Sequence, residues 1–245
     1  MGAHLGAGAV ANVYHARDLA TDADVAVKID SGRITREEAR RRFDREAAAL
    51  AVLASPHVVE LVAAGEAEDG RPYLVLELLR GQTIDQQLEA SGAFAPSEVM
   101  RWIAQAAAAV DLAHGMGIVH RDLKPANLFL HHPPNGDHAA TVLKVLDFGF
   151  LTDVRDADTH DPGLVLGTPL YMAPEQARGQ GARIGPATDV WALGMLAVTL
   201  LTGEDYWTST SVKDVIADVE GAPLYAPSTR WSWLPREFDA WFLRS

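Results

Sequence analysis

The stretch HRDLKPANLF, residues 120–129, gathers side chains that could do chemistry into one short segment. It contains cationic, acidic and amide side chains together with a proline, a mixture that does not suit the core of a strand. Such a segment is either a polar surface loop or a site. The residues before and after it decide between the two.

Three further features could serve a site that handles phosphate. Gly6 and Gly8 lie between two strand-like runs, where glycine lets the backbone approach a phosphate closely. Lys28 ends an alternating strand pattern, and Asp147 follows an apolar run. Taken singly, each has an ordinary interpretation, because glycine-rich hairpins are common turns and lysines often end solvated edge strands.

Transfer of a phosphoryl group from ATP requires four kinds of group. It needs a cradle for the phosphates, a cation for the α and β phosphates, oxygen ligands for Mg²⁺, and a carboxylate that orients the attacking hydroxyl. The chain supplies all four kinds. This favours the interpretation of residues 120–129 as part of a site.

The predicted secondary structure changes at the segment RGQT, from mainly strands before it to mainly helices after it. Up to about Leu78 the pattern predicts strands around one Ala-rich helix, residues 35–54, with Thr35 as its N-cap. Beyond RGQT the pattern is mostly helical, with short strands at NLFL and VLKVLDF. We therefore predict an α+β, bilobal fold, with a small β-rich lobe over residues 1–79 and a larger, mostly helical lobe over residues 80–245.

Composition narrows the classes of function. The chain of 245 residues is 48% hydrophobic, enough for a sizeable core, and its net charge of −12 argues against a nucleic-acid-binding surface. It has no cysteine, which excludes disulfides, cysteine metal sites and a thiol nucleophile. No signal peptide is visible, and the longest apolar run, residues 190–201, is shorter than the roughly twenty residues that span a bilayer. We expect a cytoplasmic protein with no membrane segment in this chain and no nucleic-acid partner.

Five motifs, in this order, resemble the signatures of protein kinases of the eukaryotic-like Ser/Thr type that is also found in bacteria. They are LGAGAVANV from Leu5, VAVK ending at Lys28, HRDLKPAN, DFG from Asp147, and GTPLYMAPE ending at Glu175. DVWALG, residues 189–194, resembles the buried helix that follows in that family. The resemblance covers nearly the whole chain. It implies ATP, Mg²⁺ or Mn²⁺, and protein substrates that carry Ser or Thr hydroxyls.

The resemblance implies a role for each polar residue around the HRD segment. Asp122 would accept or orient the substrate hydroxyl, and Lys124 would neutralise charge on the transferring phosphoryl group. Asn127 and Asp147 would hold the divalent metal ion. A lysine two residues after the aspartate also marks Ser/Thr kinases rather than Tyr kinases.

The phosphate part of the nucleotide site is expected in the first lobe. By resemblance, Lys28 would contact the α and β phosphates and would be oriented by Glu46. The glycine-rich loop would cover the nucleotide, and the residues expected to contact ATP there are Leu5, Gly6, Ala7 and Gly8.

The adenine part of that site is also implied by the resemblance. Val13, Ala26 and Phe129 would sandwich the adenine ring. Glu77 and Leu79 would offer backbone groups to its edge. Phe129 is bulkier than the leucine or methionine expected beneath adenine.

Arg121 precedes the catalytic aspartate, and in kinases with this pair the arginine meets a phosphorylated residue of the activation loop. Thr159 is the predicted switch. Thr168 lies in the substrate-docking segment and by resemblance touches Asp122 and Lys124. The alternative is that the aspartates beside Thr159 already supply the negative charge.

The chain departs from the family pattern in its glycine loop and at its ends. Ala11 stands where the family has a third glycine. The chain begins a few residues before Gly6 and ends at WFLRS, so we expect a kinase domain truncated at both ends. In this family Glu175 pairs with an arginine from the late helices, and we expect that arginine to lie beyond Ser245.

Two other functions compete with an active Ser/Thr protein kinase. One is a pseudokinase, a nucleotide-binding or scaffolding module without phosphotransfer. The other is a small-molecule kinase of the aminoglycoside or choline type, which shares the lobe plan but is not expected to carry GTPLYMAPE. The presence of every chemical residue favours the active enzyme, which would also phosphorylate itself.

Overall fold

Two compact units make up the computed structural model. It describes residues 2–8, 10–133, 140–148 and 169–245. These fall into one unit drawn from Met1–Gly81 and Phe129–Leu151, and another drawn from Gln82–Leu128 and Thr152–Ser245. The first unit carries an antiparallel sheet and the second is mainly helical, so the predicted α+β class is confirmed. The lobe boundary between residues 79 and 80 stays a prediction.

A five-stranded antiparallel sheet dominates the first unit. Its strands stand in the order β1-β2-β3-β5-β4. Their bounds are β1 His4–Ala7, β2 Ala11–Arg17, β3 Asp24–Asp30, β4 Leu61–Glu66 and β5 Pro72–Glu77. In β5 the side chains alternate between buried and partly exposed, as the period-two pattern of PYLVLE predicts for a half-buried strand.

The register of this sheet places three of the residues predicted to bind the nucleotide on one face. Val13 on β2 lies opposite Lys28 on β3, and Ala26 on β3 lies opposite Leu76 on β5. Residues two apart on a strand, such as Ala26 and Lys28, point to the same face. The sheet therefore presents Val13, Ala26 and Lys28 together.

One helix, α1 (Arg36–Val52), packs in the same unit. Thr35 is its N-cap and accepts a hydrogen bond from the Glu38 amide at 3.3 Å, as the sequence predicts. The helix buries an apolar stripe that includes Phe43 and Leu50, and Glu46 is buried within that stripe. A carboxylate buried in this way needs a cation, because an unpaired charge is costly away from water.

A smaller sheet has the order β6-β7-β8, with β6 Gly81–Thr83, β7 Leu128–His131 and β8 Val142–Val145. The sequence pattern predicts β7 and β8 but not β6, because RGQT has the composition of a turn. Gly81 has φ +136°, and a Cβ there would lie 2.0 Å from the Leu130 carbonyl oxygen. Only glycine suits this close approach.

The second unit contains six helices among the described residues. They are α2 Ile84–Ser91, α3 Pro96–Gly115, α4 Pro174–Ala177, α5 Pro186–Thr202, α6 Val212–Gly221 and α7 Arg236–Phe242. Helix α5 is apolar on all sides and almost wholly buried, as predicted for DVWALG and the run that follows it. Helix α7 was not predicted from the sequence. Within the described ranges, no helix combines the length and the apolar character that crossing a bilayer requires.

Candidate active site

Lys28 lies between two carboxylates in the first unit. Its Nζ donates to Glu46 Oε1 at 2.7 Å and to Glu46 Oε2 at 2.9 Å, and it also donates to Asp147 Oδ1. The side chains of Lys28 and Glu46 are only 12% and 5% exposed, whereas that of Asp147 is 42% exposed. Strand β3, helix α1 and the residues after β8 therefore bring together three residues that are far apart in sequence.

The electrostatics of this cluster favour a charged lysine. Burial by itself would lower the pKa of Lys28, but the charges of Asp147 and Glu46 outweigh burial and raise that pKa above its ordinary value. Burial also raises the pKa of Glu46, and the charge of Lys28 opposes this shift only in part. The cluster thus holds a fixed positive charge beside an exposed carboxylate, an arrangement suited to binding a phosphate and a cation together.

Two of the predicted site residues have an unusual backbone. Asp147 has φ +58° and Arg121 has φ +68°, and Asp22 is the one other non-glycine residue with positive φ among the described residues. A left-handed conformation costs a residue with a side chain about 1 to 2 kcal/mol. Strain of this kind persists only where surrounding contacts enforce it, and it is concentrated at functional sites.

The polar residues of the HRD segment contact one another in the second unit. Lys124 Nζ donates to Asp122 Oδ2 at 2.7 Å, and Asn127 Nδ2 donates to the same oxygen at 3.0 Å and to the Asp122 carbonyl at 2.7 Å. Both side-chain contacts use Oδ2, so Oδ1 of Asp122 is the oxygen that can accept a hydroxyl proton. Both donor contacts of Asn127 use Nδ2, so Oδ1 of Asn127 is the atom that can bind a cation.

Buried residues alternate with these polar ones and anchor the segment. His120, Leu123 and Leu128 are at most 1% exposed, and Pro125 begins a 3₁₀ turn, Pro125–Asn127. Phe148, beside Asp147, is fully buried in the other unit. The burial of His120 and Phe148 agrees with packing roles.

Asp189 at the start of α5 holds the HRD backbone. Its Oδ2 accepts the His120 amide at 2.8 Å, and its Oδ1 accepts the Arg121 amide at 2.8 Å. Oδ2 also lies 2.7 Å from His114 Nε2, and Asp189 is completely buried. The motif DVWALG is recognisable in the sequence, but no function was predicted for Asp189 within it. An acid at the start of an otherwise apolar helix was the signal that could have found it.

The predicted adenine-edge residue Glu77 is fixed by a residue that the sequence analysis missed. Lys144 on β8 donates to Glu77 Oε1 at 2.5 Å and to the Val58 carbonyl at 3.2 Å. The same carboxylate oxygen accepts the Glu60 amide at 2.9 Å. A lysine in the middle of an apolar strand was the available signal, since a charge there requires a partner.

The predicted glycine-rich loop forms the hairpin between β1 and β2. Gly6 pairs with Val13, and the Gly8 amide donates to the Ala11 carbonyl at 2.8 Å, which closes the turn. A Cβ added at Gly6 would meet no described atom within 4 Å. Leu5 and Ala7 are exposed on β1, and Ala11 is buried where the family has its third glycine. The structure leaves their predicted roles toward ATP as predictions, as it does for Leu79 and Phe129.

Two predicted regulatory residues, Thr159 and Thr168, lie outside the residues that the structure describes. Glu175, for which the sequence analysis expected an arginine partner, is half-buried and accepts a hydrogen bond from Thr188 Oγ1 at 2.6 Å. This contact gives one oxygen of the Glu175 carboxylate a hydrogen-bond donor. The carboxylate therefore does not depend solely on an arginine from the late helices for a partner.

Comparison with known proteins agrees with this arrangement. A family model described as Protein kinase domain matches residues 1–235. The chain is 34% identical over its full length to the serine/threonine-protein kinase PknB of Mycobacterium tuberculosis, of which it covers 39%. It is 35% identical over 91% of its length to the serine/threonine-protein kinase PrkC of Bacillus subtilis, of which it covers 34%. It is also 35% identical over 81% of its length to the serine/threonine-protein kinase pkn3 of Myxococcus xanthus, of which it covers 36%.

The match therefore extends over the whole chain, while the chain spans less than two-fifths of the length of these relatives. The matched residues include both polar clusters, the one around Lys28 and the one around Asp122. From this agreement of sequence and geometry we conclude that the chain belongs to the protein kinase family.

Proposed function

We propose that this chain is an active Ser/Thr protein kinase, which transfers the γ-phosphate of ATP to Ser or Thr hydroxyls of protein substrates, its own included. The observation that carries the proposal is the contact of Asp122 with Lys124 and Asn127 in one loop. A proton acceptor, a cation and a metal-binding amide occur there within one hydrogen-bonded set. The printed names of PknB, PrkC and pkn3 support the same activity class.

In this proposal the chain's residues divide the work of phosphoryl transfer. ATP supplies the phosphoryl group. Lys28, held by Glu46, neutralises the α and β phosphates, and Lys124 neutralises charge that develops on the transferred group. Asp122 orients the substrate hydroxyl and accepts its proton through Oδ1. Positioning and electrostatics supply most of the catalysis in this chemistry, so the fixed contacts of these residues matter more than their mere presence.

The donor atoms fit a hard divalent cation. Asp147 offers an exposed carboxylate and Asn127 offers an amide oxygen. Mg²⁺ is usually bound through one or two such groups, with the remaining positions filled by phosphates and water. We propose Mg²⁺, with Mn²⁺ as a substitute, as the ion for which Asp147 in the first unit and Asn127 in the second unit each offer an oxygen ligand, as the family resemblance implies.

The position of Lys124, two residues after Asp122, supports Ser or Thr rather than Tyr as the acceptor, as the family resemblance implies. The use of ATP as donor places the proposed activity in the cytoplasm, where ATP is available. No role for nucleic acid is part of the proposal, since the net charge is −12.

The proposed function is tested by incubating the purified chain with γ-labelled ATP, Mg²⁺ and a generic basic protein. We expect label on serine and threonine of that protein and of the chain itself, and none without a divalent cation. Nucleotide binding without any transfer would instead identify a pseudokinase. Transfer to an aminoglycoside or choline but not to protein would identify a small-molecule kinase.

Removal of the predicted switch hydroxyl should lower activity. Thr159→Ala is expected to reduce kcat about tenfold, because a phosphate on Thr159 would give Arg121 nearly two negative charges to bind, whereas a neighbouring aspartate gives one. Phosphosite mapping after incubation with ATP should find phosphate on Thr159 in the wild-type chain. Initial rates of both proteins, after identical preincubation with ATP, provide the measurement.

Thr152→Ala is the matched control, since it removes another threonine hydroxyl from the same loop. It should retain wild-type activity. Unchanged activity and unchanged phosphate incorporation in Thr159→Ala would show that the nearby aspartates already supply the charge.

A further inference from the structure

Arg121 is held by hydrogen bonds to the peptide groups on both of its sides. Arg121 has φ +68°, which a residue with a side chain adopts only under constraint. Its amide donates to Asp189 Oδ1 at 2.8 Å. Its carbonyl, which belongs to the same peptide group as the amide of Asp122, accepts a hydrogen bond from Gln176 Nε2 at 2.8 Å.

The side-chain amide of Gln176 makes one contact through its oxygen and another through its nitrogen. Its Oε1 accepts the Ala173 amide at 3.0 Å, which caps the short helix α4, and its Nε2 donates to the Arg121 carbonyl. One orientation of the side-chain amide satisfies both, because oxygen can only accept here and nitrogen can only donate. The cap therefore fixes the direction in which Nε2 points.

We propose that Gln176 is a positioning residue for phosphotransfer, which ties α4 to the catalytic loop and holds the strained Arg121 peptide in the conformation that aims Asp122. The inference rests on the proposed kinase function. It assigns a role to a residue that directly follows Glu175 of the APE motif and that has no chemistry of its own.

The proposed role has a specific kinetic signature. The Arg121 peptide carries the proton acceptor Asp122, whereas the nucleotide is assigned to Lys28 and its partners. Loss of the Gln176 contact should therefore lower kcat, because a small displacement of a catalytic group costs much of its effect. The KM for ATP should stay nearly unchanged. Because a general loss of folded protein would also lower the apparent kcat without changing KM, a control variant is required.

The chain offers a close control in α2. Gln86 occupies the same position of a capping box, and its Oε1 accepts the Thr83 amide at 3.0 Å. Gln176→Glu and Gln86→Glu each keep the capping oxygen, replace the amide nitrogen by a carboxylate oxygen, and add one negative charge. Only Gln176→Glu places that oxygen against the Arg121 carbonyl, where two acceptors repel each other.

We expect Gln176→Glu to lower kcat at least about tenfold, with KM for ATP within about twofold of wild type, and Gln86→Glu to match wild type in both. Equal kcat in the two variants would overturn the inference. If Gln176→Glu does not fold, as judged by its melting curve, Gln176→Met and Gln86→Met repeat the comparison without an added charge.

Hydrogen exchange gives a readout that does not depend on activity. The amides of Arg121 and Asp122 should exchange faster in Gln176→Glu than in Gln86→Glu, while the amides of α5 keep wild-type protection. Unchanged exchange at Arg121 and Asp122 would contradict the inference even if kcat fell. An inactive wild-type chain would refute the proposed function, and the exchange experiment would still decide whether Gln176 holds the peptide.

Discussion

Asp122→Asn and Lys28→Met are each expected to abolish most phosphotransfer, with losses in kcat/KM on the order of 10² to 10⁴-fold. Asp122→Asn removes the proposed proton acceptor but keeps the shape of the side chain that Lys124 and Asn127 contact. Lys28→Met removes the cation assigned to the phosphates. The measurement is the rate of phosphate transfer to a generic basic protein at several ATP concentrations, which separates kcat from KM.

The two variants should differ in their affinity for ATP. Asp122→Asn should bind ATP with wild-type affinity and transfer slowly, since Asp122 lies in the loop assigned to the hydroxyl. Lys28→Met should also weaken ATP binding. It deprives Glu46, 5% exposed, of its cation. The resulting cost in stability is limited because burial already raises the pKa of Glu46, so this carboxylate takes up a proton more easily than a solvated one.

Matched controls exist on the surface of the helical unit. Asp111→Asn on α3 and Lys213→Met on α6 make the same chemical changes at exposed positions. Both should retain full activity. Near wild-type kcat in Asp122→Asn would refute the assignment of Asp122 as the proton acceptor, and with it the proposed mechanism.

The sequence predicts those parts of the site that depend on short-range spacing. Asp122, Lys124 and Asn127 lie within one loop, so their proximity follows from the order of residues alone. The alternating pattern around Lys28 predicts its strand, and the cap at Thr35 predicts the start of α1 correctly. Such features are local, and local signals survive in a single sequence.

Contacts between distant positions could not be predicted in the same way. Asp189 lies 69 residues after His120, and Lys144 lies 67 residues after Glu77. Each is a charged residue in an apolar run, which signals that a partner exists but not which one. The left-handed backbone of Arg121 is likewise invisible, because nothing in the residue type favours it and tertiary contacts impose it.

Through its contacts, Asp189 holds the backbone of the HRD segment, which is the proposed catalytic loop. One buried carboxylate accepts two consecutive backbone amides, those of His120 and Arg121, and a third contact from His114 on α3. Helices α3 and α5 and the HRD segment thus meet at a single side chain. Because hydrogen bonds to a charged group are stronger than neutral ones, this contact can offset the backbone strain at Arg121.

Asp189→Asn is therefore expected to reduce both stability and catalysis. The change keeps the shape of the side chain but turns one acceptor into a donor that faces an amide, which should cost about 3 kcal/mol of the roughly 5 to 15 kcal/mol that stabilise a domain. The molecules that remain folded should show kcat lowered on the order of 10²-fold, because the Asp122 carboxylate is no longer held in its orientation. Thermal melting and kcat per folded molecule provide the measurements.

Asp239→Asn in α7 separates the two effects. Asp239 is also buried and accepts the Ser228 amide at 2.8 Å and the Ser228 hydroxyl at 2.5 Å, in a part of the helical unit without predicted catalytic residues. Its variant should lose a comparable amount of stability and keep wild-type kcat per folded molecule. If both variants lowered kcat equally, the loss would follow from general destabilisation. If Asp189→Asn kept wild-type kcat below its melting temperature, the Arg121 conformation would have to be held by its other contacts, with Gln176 first among them.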